Sequence, residues 1–482
     1  MTLSELLSKI EYEECINFFD YEISDVTESS SNAKEGCIFV CHNGAKYDAK
    51  NFIPLAKKSG SRVFVLNEIV DVEKEETLII SKNPRKTTAE ISKILYGDCL
   101  SKMKIIGVTG TRGKTTVSKI LSECIFSLGV EVVVISTLGI EFLKEKYEKI
   151  ETDNTTPTSD IIYKNLKKAY ECGIKVAVIE VSSQALANYR VHLIPFTLCV
   201  FTNFSKDHIG EFEHKNFEEY FLAKKSLFSN YGAKYSVVNS DDEKAKNISS
   251  GVERVITVGE ENSDYRISMV CSSLNSSSFC INGEEFSLSL GASFNAHNAA
   301  LAIVSASVLF AKDICCFKST VKNVKIDGRF EVYRIGNKNI VIDFAHNEES
   351  FLSVIKNAKK FTRGRIILLF GSVGERSKER RKEFAKAAQK NADFSVITSD
   401  NPGFESSFAI CDEIYSYFTD KSRAKVLSNR EDAIKFAINC AEDFDTVLLL
   451  GKGHERYQII EDKKVPFSEK DIILSIGAVK IE

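Results

Sequence analysis

Ile105-Ile-Gly-Val-Thr-Gly-Thr-Arg-Gly-Lys-Thr-Thr116 sets an apolar run directly before a glycine-bounded loop, and a helical apolar pattern follows from Val117 to Phe126. Strand, tight turn and helix in that order make a phosphate cradle. Backbone N–H groups of the turn and of the helix N-terminus converge on one point, where the helix dipole also favours an anion. Gly110, Thr111, Gly113 and Thr116 supply that backbone, Lys114 can neutralise β- and γ-phosphate oxygens, and the Thr115 hydroxyl can ligate Mg²⁺. The implied ligand is ATP or GTP. A glycine turn with a capping threonine and a solvated lysine is the plain alternative, disfavoured by the strand before it and the helix after it.

Outward from the loop, the same alternation continues. Apolar strands at Val132–Ser136, Val176–Val181, Leu198–Thr202 and Tyr235–Asn239 interleave with helical patterns at Ser159–Cys172 and Phe217–Phe228. Such alternation predicts a mostly parallel sheet with helices on both faces. The Ser-, Asn- and Gly-rich stretch 262–291 predicts a few antiparallel strands, and Ala296–Phe310 a helix. After Ile326-Asp-Gly-Arg329 the alternation restarts, with strands near 339–344, 365–370, 393–398 and 446–450, which predicts a second doubly wound, Rossmann-like sheet. Ahead of the loop, strands at 37–41, 62–66 and 77–80 and helices at 52–59 and 85–96 make a small α/β domain, and Leu3, Leu6, Leu7 and Ile10 predict an amphipathic helix within the first 20 residues. At about 150 residues per domain, 482 residues give roughly three. The expected boundaries are 1–98, 99–326 and 327–482.

A net charge of −3 from nearly balanced acids and bases gives no reason to expect a nucleic-acid partner. No apolar stretch approaches the roughly 20 residues of a membrane span, and the acidic N-terminal stretch does not read as a signal peptide. The thirteen cysteines lack paired Cys-x-x-Cys spacing, and several, such as Cys124, Cys199 and Cys440, sit inside apolar runs, so they read as reduced core residues of a cytoplasmic protein.

Polar constellations fall at the carboxyl ends of the expected strands, where doubly wound sheets place ligands. Glu180-Val-Ser-Ser183 ends one strand with a carboxylate suited to Mg²⁺, and Thr202-Asn-Phe-Ser-Lys-Asp-His208 ends the next with an aspartate and an imidazole fit for metal ligation or proton transfer. His297, His346 and His454 also lie in polar clusters just after apolar runs.

Together these segments resemble the Mur ligases, ATP-dependent amide-forming enzymes of peptidoglycan synthesis. The resemblance rests on Gly107 to Thr116, Thr155-Thr-Pro157, Glu180 to Ser183, Thr202 to His208, Ala223-Lys224 with Leu227-Phe228, Phe294-Asn-Ala-His-Asn298, Asp327-Gly-Arg329, Asp343-Phe-Ala-His346, Asp400-Asn-Pro402 and Gly451-Lys-Gly-His-Glu455. Ten motifs in family order span the chain. The Gly36–Asp48 segment, Thr-Thr-Pro and Gly-Lys-Gly-His-Glu are similar to the member that adds a diamino acid to UDP-N-acetylmuramoyl-L-alanyl-D-glutamate.

The resemblance implies that the γ-phosphoryl group of ATP passes to a carboxylate, and that an amine then displaces phosphate from the acyl phosphate. Lys114, Glu180, His208 and Lys224 would be catalytic, with Thr115, Glu180, His208 and a carbamoylated Lys224 around Mg²⁺. Asn295, Asn298, Arg329 and Asp343 would contact the nucleotide, the arginine on closure of the third domain. Thr155, Thr156, Ser182, Asn188 and Arg190 would hold the muramoyl-dipeptide. Ser30 and the Gly44–Tyr47 loop would hold the uridine diphosphate, although Ser29-Ser-Ser31 stands where the family usually shows Asp-Ser-Arg and equally reads as a polar turn. Arg376, Asp400, Asn401, Gly451 and Glu455 would receive the incoming amino acid, in a monomeric chain.

One departure bears on that amino acid. Members that add meso-diaminopimelate carry arginine at the position of Gly403, and glycine offers no charge to the second carboxylate. L-lysine is therefore the expected substrate, against the alternative that Gly403 only shapes a turn while Arg376 or Arg380 supplies the cation. Two rival readings remain. A folate polyglutamating ligase shares the loop and the lysine but normally lacks a hundred-residue domain before them. A non-catalytic paralogue would not need Lys114, Thr115, Glu180, His208 and Lys224 all intact.

Overall fold

The structure is a computed structural model that describes residues 1–42, 49–205, 214–375 and 378–481. The chain divides into two compact units, residues 1–258 with 304–311, and residues 259–303 with 312–482.

The first unit contains a five-stranded sheet in the spatial order Glu14–Ile16, Thr77–Ile80, Val63–Leu66, Cys37–Val40, Asp25–Thr27. Its four parallel strands are buried on both faces, under the helices Leu3–Leu7 and Pro84–Tyr96 on one side and Ile53–Lys58 on the other. The amphipathic N-terminal helix is real but stops at Leu7. Thr2 and Glu5 form a reciprocal capping box that starts it, while Leu3, Leu6 and Leu7 are buried. The chain then leaves the helix and returns as Glu14–Ile16, which pairs antiparallel with Thr77–Ile80. Three-residue strands such as this one and Asp25–Thr27 are too short for period-two patterning to reveal.

The first unit's larger sheet runs Arg254–Gly259, Tyr235–Asn239, Leu198–Phe201, Lys104–Thr109, Val176–Glu180, Val132–Ser136, Gly139–Leu143, Glu148–Ile150. The first six strands are parallel, and the last two add an antiparallel extension. Lys104–Thr109 lies at the centre, so the loop after it is flanked by the ends of Val176–Glu180 and Leu198–Phe201. The helices Lys114–Ser127, Ser159–Glu171 and Phe217–Ser229 follow at the positions the alternation predicts.

The second unit opens with an antiparallel meander, Tyr265–Ser272, Ser277–Ile281 and Glu284–Leu288. Its main sheet runs Ala424–Val426, Phe394–Ile397, Ile366–Phe370, Thr446–Leu450, Lys338–Asp343, Glu331–Ile335, Val479–Lys480, parallel through the first five strands and antiparallel at the last two. Cores lie on both faces. The helix Ser293–Phe310 is the one described helix long and apolar enough to cross a membrane, yet 72% of it is buried inside the protein, as a core helix requires.

Candidate active site

Parallel register brings three strand ends to one place. Glu180 pairs with Val108, and Phe201 with Thr109, so the carboxylate of Glu180 and the Thr202-Asn203 pair emerge on either side of the glycine loop. The loop is held by its neighbours. The Thr111 N–H donates to the Asn203 carbonyl at 2.9 Å, the Arg112 N–H donates to Asn203 Oδ1 at 3.0 Å, and the Thr202 hydroxyl and Asn203 Nδ2 both donate to the Arg112 carbonyl. A Cβ on Gly110 would fall 1.9 Å from Thr202 Oγ1, so only glycine fits this approach. Gly113 caps the helix at φ 80°, the left-handed turn that aims the first helical N–H groups into the loop.

Two lysines meet there. Lys114 Nζ donates to the carbonyls of Gly110 and Thr111 at 3.0 and 3.1 Å, and Lys224 Nζ donates to the Gly110 carbonyl at 2.8 Å. Lys224 is 1% exposed and lies over the Tyr220 ring, whose hydroxyl contacts Thr111 Oγ1 at 3.0 Å. Buried ammonium groups need anionic or carbonyl partners, and here backbone oxygens provide them. On the other side, Glu180 is fully buried and accepts from the Thr115 hydroxyl at 3.2 Å, the Thr137 hydroxyl at 3.1 Å and the Thr137 N–H at 3.3 Å. Carboxylate and hydroxyl oxygens are the hard donors that Mg²⁺ accepts, with phosphate and water completing its shell. The sequence reading overlooked Thr137, Asn203 and Tyr220; Asn203 and Tyr220 lay within or beside quoted motifs, whereas Thr137 follows the expected strand Val132–Ser136 with no motif of its own. His208, expected among the metal ligands, lies outside the described residues.

Next to Glu180 a hydroxyl network continues. Thr155 Oγ1 accepts from Thr137 Oγ1, Thr156 Oγ1 donates to the Glu180 carbonyl at 2.7 Å, Thr156 and Ser182 hydroxyls lie 3.3 Å apart, and Arg190 Nη1 donates to the Thr156 carbonyl at 2.8 Å. The structure thus brings together Thr155, Thr156, Ser182 and Arg190. Asn188 instead caps back onto Gln184. Burial pulls the Arg190 guanidinium below its usual range, while Glu28 opposes the shift and Arg85 adds to it. Glu28 in turn bonds His42 at 2.8 Å. Neither Glu28 nor Arg85 carried a sequence signal. Ser30 opens the one-turn 3₁₀ segment Ser30–Asn32, across whose start the Ser29 and Ser31 hydroxyls bond each other; Gly44–Tyr47 lies outside the described residues.

In the second unit, Asp343 is buried and accepts from the Phe330 and Ala345 N–H groups, each at 2.8 Å. Burial raises its carboxyl to about 6, against the pull of Arg329 and the two N–H groups. Arg329 lies over the Phe344 ring at 4.7 Å, and Phe294 packs edge-on against Phe330, so the three expected segments around residues 294, 329 and 343 adjoin. Asn295 spends its amide on the Gly291 carbonyl at 2.7 Å and, like Asn298, is buried.

A second cluster forms at the ends of Phe394–Ile397 and Thr446–Leu450. Asn401 Nδ2 donates to Glu455 Oε2 at 3.1 Å, and the fully buried Lys452 ammonium bonds Asn401 Oδ1 at 2.7 Å and also the Glu455 carboxylate. Burial and the neighbouring Asp400 raise the Glu455 carboxyl, with Lys452 and Asn401 pulling the other way. Asp400, Asn401, Gly451 and Glu455 are therefore brought together, and Lys452 joins them. Arg376 lies outside the described residues.

Gly403 has a backbone reason to be glycine. Its φ is 59°, its N–H donates to the Ile459 carbonyl and its carbonyl accepts from Glu461, and a Cβ would fall 2.6 Å from Glu375 Oε2. The turn thus gives the glycine a second reading that does not depend on the amino acid added.

Residues 108–306 match the Mur ligase middle domain, and residues 328–453 match the Mur ligase glutamate ligase domain. The chain belongs to the Mur ligase family. It is an ATP-dependent acid–amino-acid ligase of peptidoglycan synthesis. This Mur ligase is 32% identical, over 96% of its length and 95% of the relative's, to the UDP-N-acetylmuramoyl-L-alanyl-D-glutamate–2,6-diaminopimelate ligase of Aquifex aeolicus. A solved structure of a ligase of that name matches it with a TM-score of 0.64 at 26% identity, covering 98% of each chain. A Mycobacterium tuberculosis folylpolyglutamate synthase complexed with ADP and AMPPCP shares the fold, with a TM-score of 0.61 at 16% identity, but covers only 77% of this chain. The lysine expectation finds no support among these relatives, which point to diaminopimelate instead.

Proposed function

We propose that this Mur ligase adds 2,6-diaminopimelate to the D-glutamyl carboxylate of UDP-N-acetylmuramoyl-L-alanyl-D-glutamate. The full-length similarity to a 2,6-diaminopimelate ligase carries the reading. In it, residues 1–98 bind the uridine diphosphate, 99–326 the nucleotide and muropeptide, and 327–482 the amino acid. Lys114 and the loop N–H groups hold the ATP phosphates, and Arg190 with the Thr155, Thr156 and Ser182 hydroxyls holds the dipeptide. Thr115 and Glu180, with His208 and a carbamoylated Lys224, are the residues that would hold Mg²⁺, which neutralises phosphate charge when bound. The γ-phosphoryl group moves to the glutamyl carboxylate and ADP leaves; the amine of the amino acid then attacks the acyl carbon and phosphate leaves. In this reading Glu455 receives that amine, and Arg376 or Arg380, the latter in the first turn of Lys378–Asn391, pairs the second carboxylate.

Mass spectrometry of the product formed from UDP-N-acetylmuramoyl-dipeptide, ATP and an equimolar mixture of diaminopimelate, lysine and ornithine tests it. The diaminopimelate adduct is expected. A lysine or ornithine adduct alone overturns the acceptor, and absence of any adduct overturns the reaction.

A further inference from the structure

Arg430 opens the helix Arg430–Cys440 and is 1% exposed. Its Nη1 donates to the Ser399 carbonyl at 2.9 Å and its Nη2 to the Leu450 carbonyl at 2.8 Å, while Nε and Nη2 both donate to Glu469 Oε1, at 3.0 and 2.8 Å. Ser399 immediately precedes Asp400-Asn401, and Leu450 immediately precedes Gly451-Lys-Gly-His-Glu455. The strands that deliver these two loops are not neighbours: Ile366–Phe370 lies between them. Two interstrand spacings of about 4.8 Å therefore separate them, and no backbone ladder joins them. One planar guanidinium does. Its fork has fixed geometry, so it sets the spacing of the two carbonyls more tightly than a flexible ammonium could.

Stability alone does not account for the ion pair. Both side chains are completely buried, and Glu469 Oε2 has no hydrogen-bond partner among the described residues. Desolvating two charges and leaving one acceptor unsatisfied costs as much as the pair returns, and well-packed apolar residues generally replace such pairs without loss. What apolar residues cannot reproduce is the double carbonyl contact.

We propose that Arg430 is a positioning residue of the amino-acid site, a buried cross-brace that holds Asp400 and Asn401 at the distance from Lys452 and Glu455 that the incoming amino acid requires. The proposal rests on the assignment of Asp400, Asn401, Gly451 and Glu455 to the amino acid made above.

The paired substitution Arg430→Met with Glu469→Leu removes both charges, so neither is left stranded in the core. The double variant is expected to fold and to melt somewhat below wild type, because the Ser399 and Leu450 carbonyls lose a buried donor, and to show faster amide exchange in residues 400–403 and 451–455. Its KM for diaminopimelate is expected to rise about tenfold or more, since an ångström of misplacement has effects of that order, while KM for ATP and for the UDP-muropeptide stay within about twofold. Arg430→Lys, which keeps charge but not the fork, falls between. A folded double variant with wild-type exchange in both loops and wild-type KM for the amino acid overturns the proposal, and so does a double variant that fails to fold, because the pair would then hold the core and not the loops. If wild-type enzyme turns over none of the amino acids, the functional assignment fails on its own, and amide exchange still decides the brace.

Discussion

Lys224 and Lys114 donate to the same atom, the Gly110 carbonyl oxygen, at 2.8 and 3.0 Å. Two ammonium groups on one oxygen repel each other, and a polyphosphate or a carbamate on Lys224 relieves that repulsion. Lys114→Ala is expected to lower ATP-dependent phosphate release by about 100-fold or more, as loss of one preorganised charge typically does. Its melting temperature without nucleotide stays near wild type, because a like charge is also removed. Phosphate release and thermal melts on one preparation check both; full turnover in the variant counts against the cradle.

Gly110→Ala is expected to abolish measurable nucleotide binding, because its Cβ would sit 1.9 Å from Thr202 Oγ1. Adding Thr202→Ala removes the clashing atom and restores part of the affinity. Calorimetric titration with a non-hydrolysable ATP analogue distinguishes this steric cause from a general folding defect, for which the second substitution would give no rescue.

Asp343 and Asp25 make opposite contributions to stability as pH changes. Asp343 titrates near 6 in the folded chain, raised by burial, so the native state holds the proton more tightly than the unfolded one. Stability therefore falls as pH rises from about 4 to about 6, by something on the order of 3 kcal/mol, and stays level above. Asp343→Asn should flatten that slope in the pH dependence of the second unit's unfolding. An unchanged slope would show that another group carries it.

Burial raises the pKa of Asp25, but hydrogen bonds from Lys164, Tyr96 and Lys34 outweigh it and lower the pKa overall. Lys164, on the helix Ser159–Glu171 of the larger sheet, reaches Asp25 of the small sheet at 2.6 Å, with Tyr96 at 2.7 Å and Lys34 at 2.9 Å. The stability this cluster supplies is present above the ordinary aspartate pKa and is lost as pH falls through the depressed value. Asp25→Ala should cost about 2 kcal/mol at pH 7, since it strands partly buried cations. The cost should shrink below pH 4 in denaturant titrations.

Glu180→Gln keeps the shape of the side chain and, through its amide oxygen, the contacts with the Thr115 and Thr137 hydroxyls, but removes the charge and the acceptor for the Thr137 N–H. The Mg²⁺ concentration for half-maximal turnover should rise by about tenfold or more if the carboxylate holds the ion. Unchanged Mg²⁺ dependence would remove Glu180 from the metal site.

Much was legible in the chain because local rules wrote it. The loop from Gly110 to Thr116 needs glycine at two backbone positions, and the strands beside it are continuous apolar runs because both faces are covered, so motif and strand could be read together. Asp25–Thr27, Glu14–Ile16 and the Gly139–Ile150 hairpin escaped notice because pairing with distant strands, not their own few residues, makes them strands. Gly403 misled because its missing charge was legible and its left-handed backbone was not.

By itself, the sequence determined the α/β class, the nucleotide loop and the order of the polar motifs, since periodicity and turn chemistry act over a few residues. Only the tertiary structure decided that Lys224 lies on the loop beside Lys114, that Thr137 contacts Glu180, and that Arg430 ties Ser399 to Leu450. Those contacts join residues from 20 to more than 100 positions apart. Sheet order and the packing of buried charges, which no local pattern encodes, bring them together.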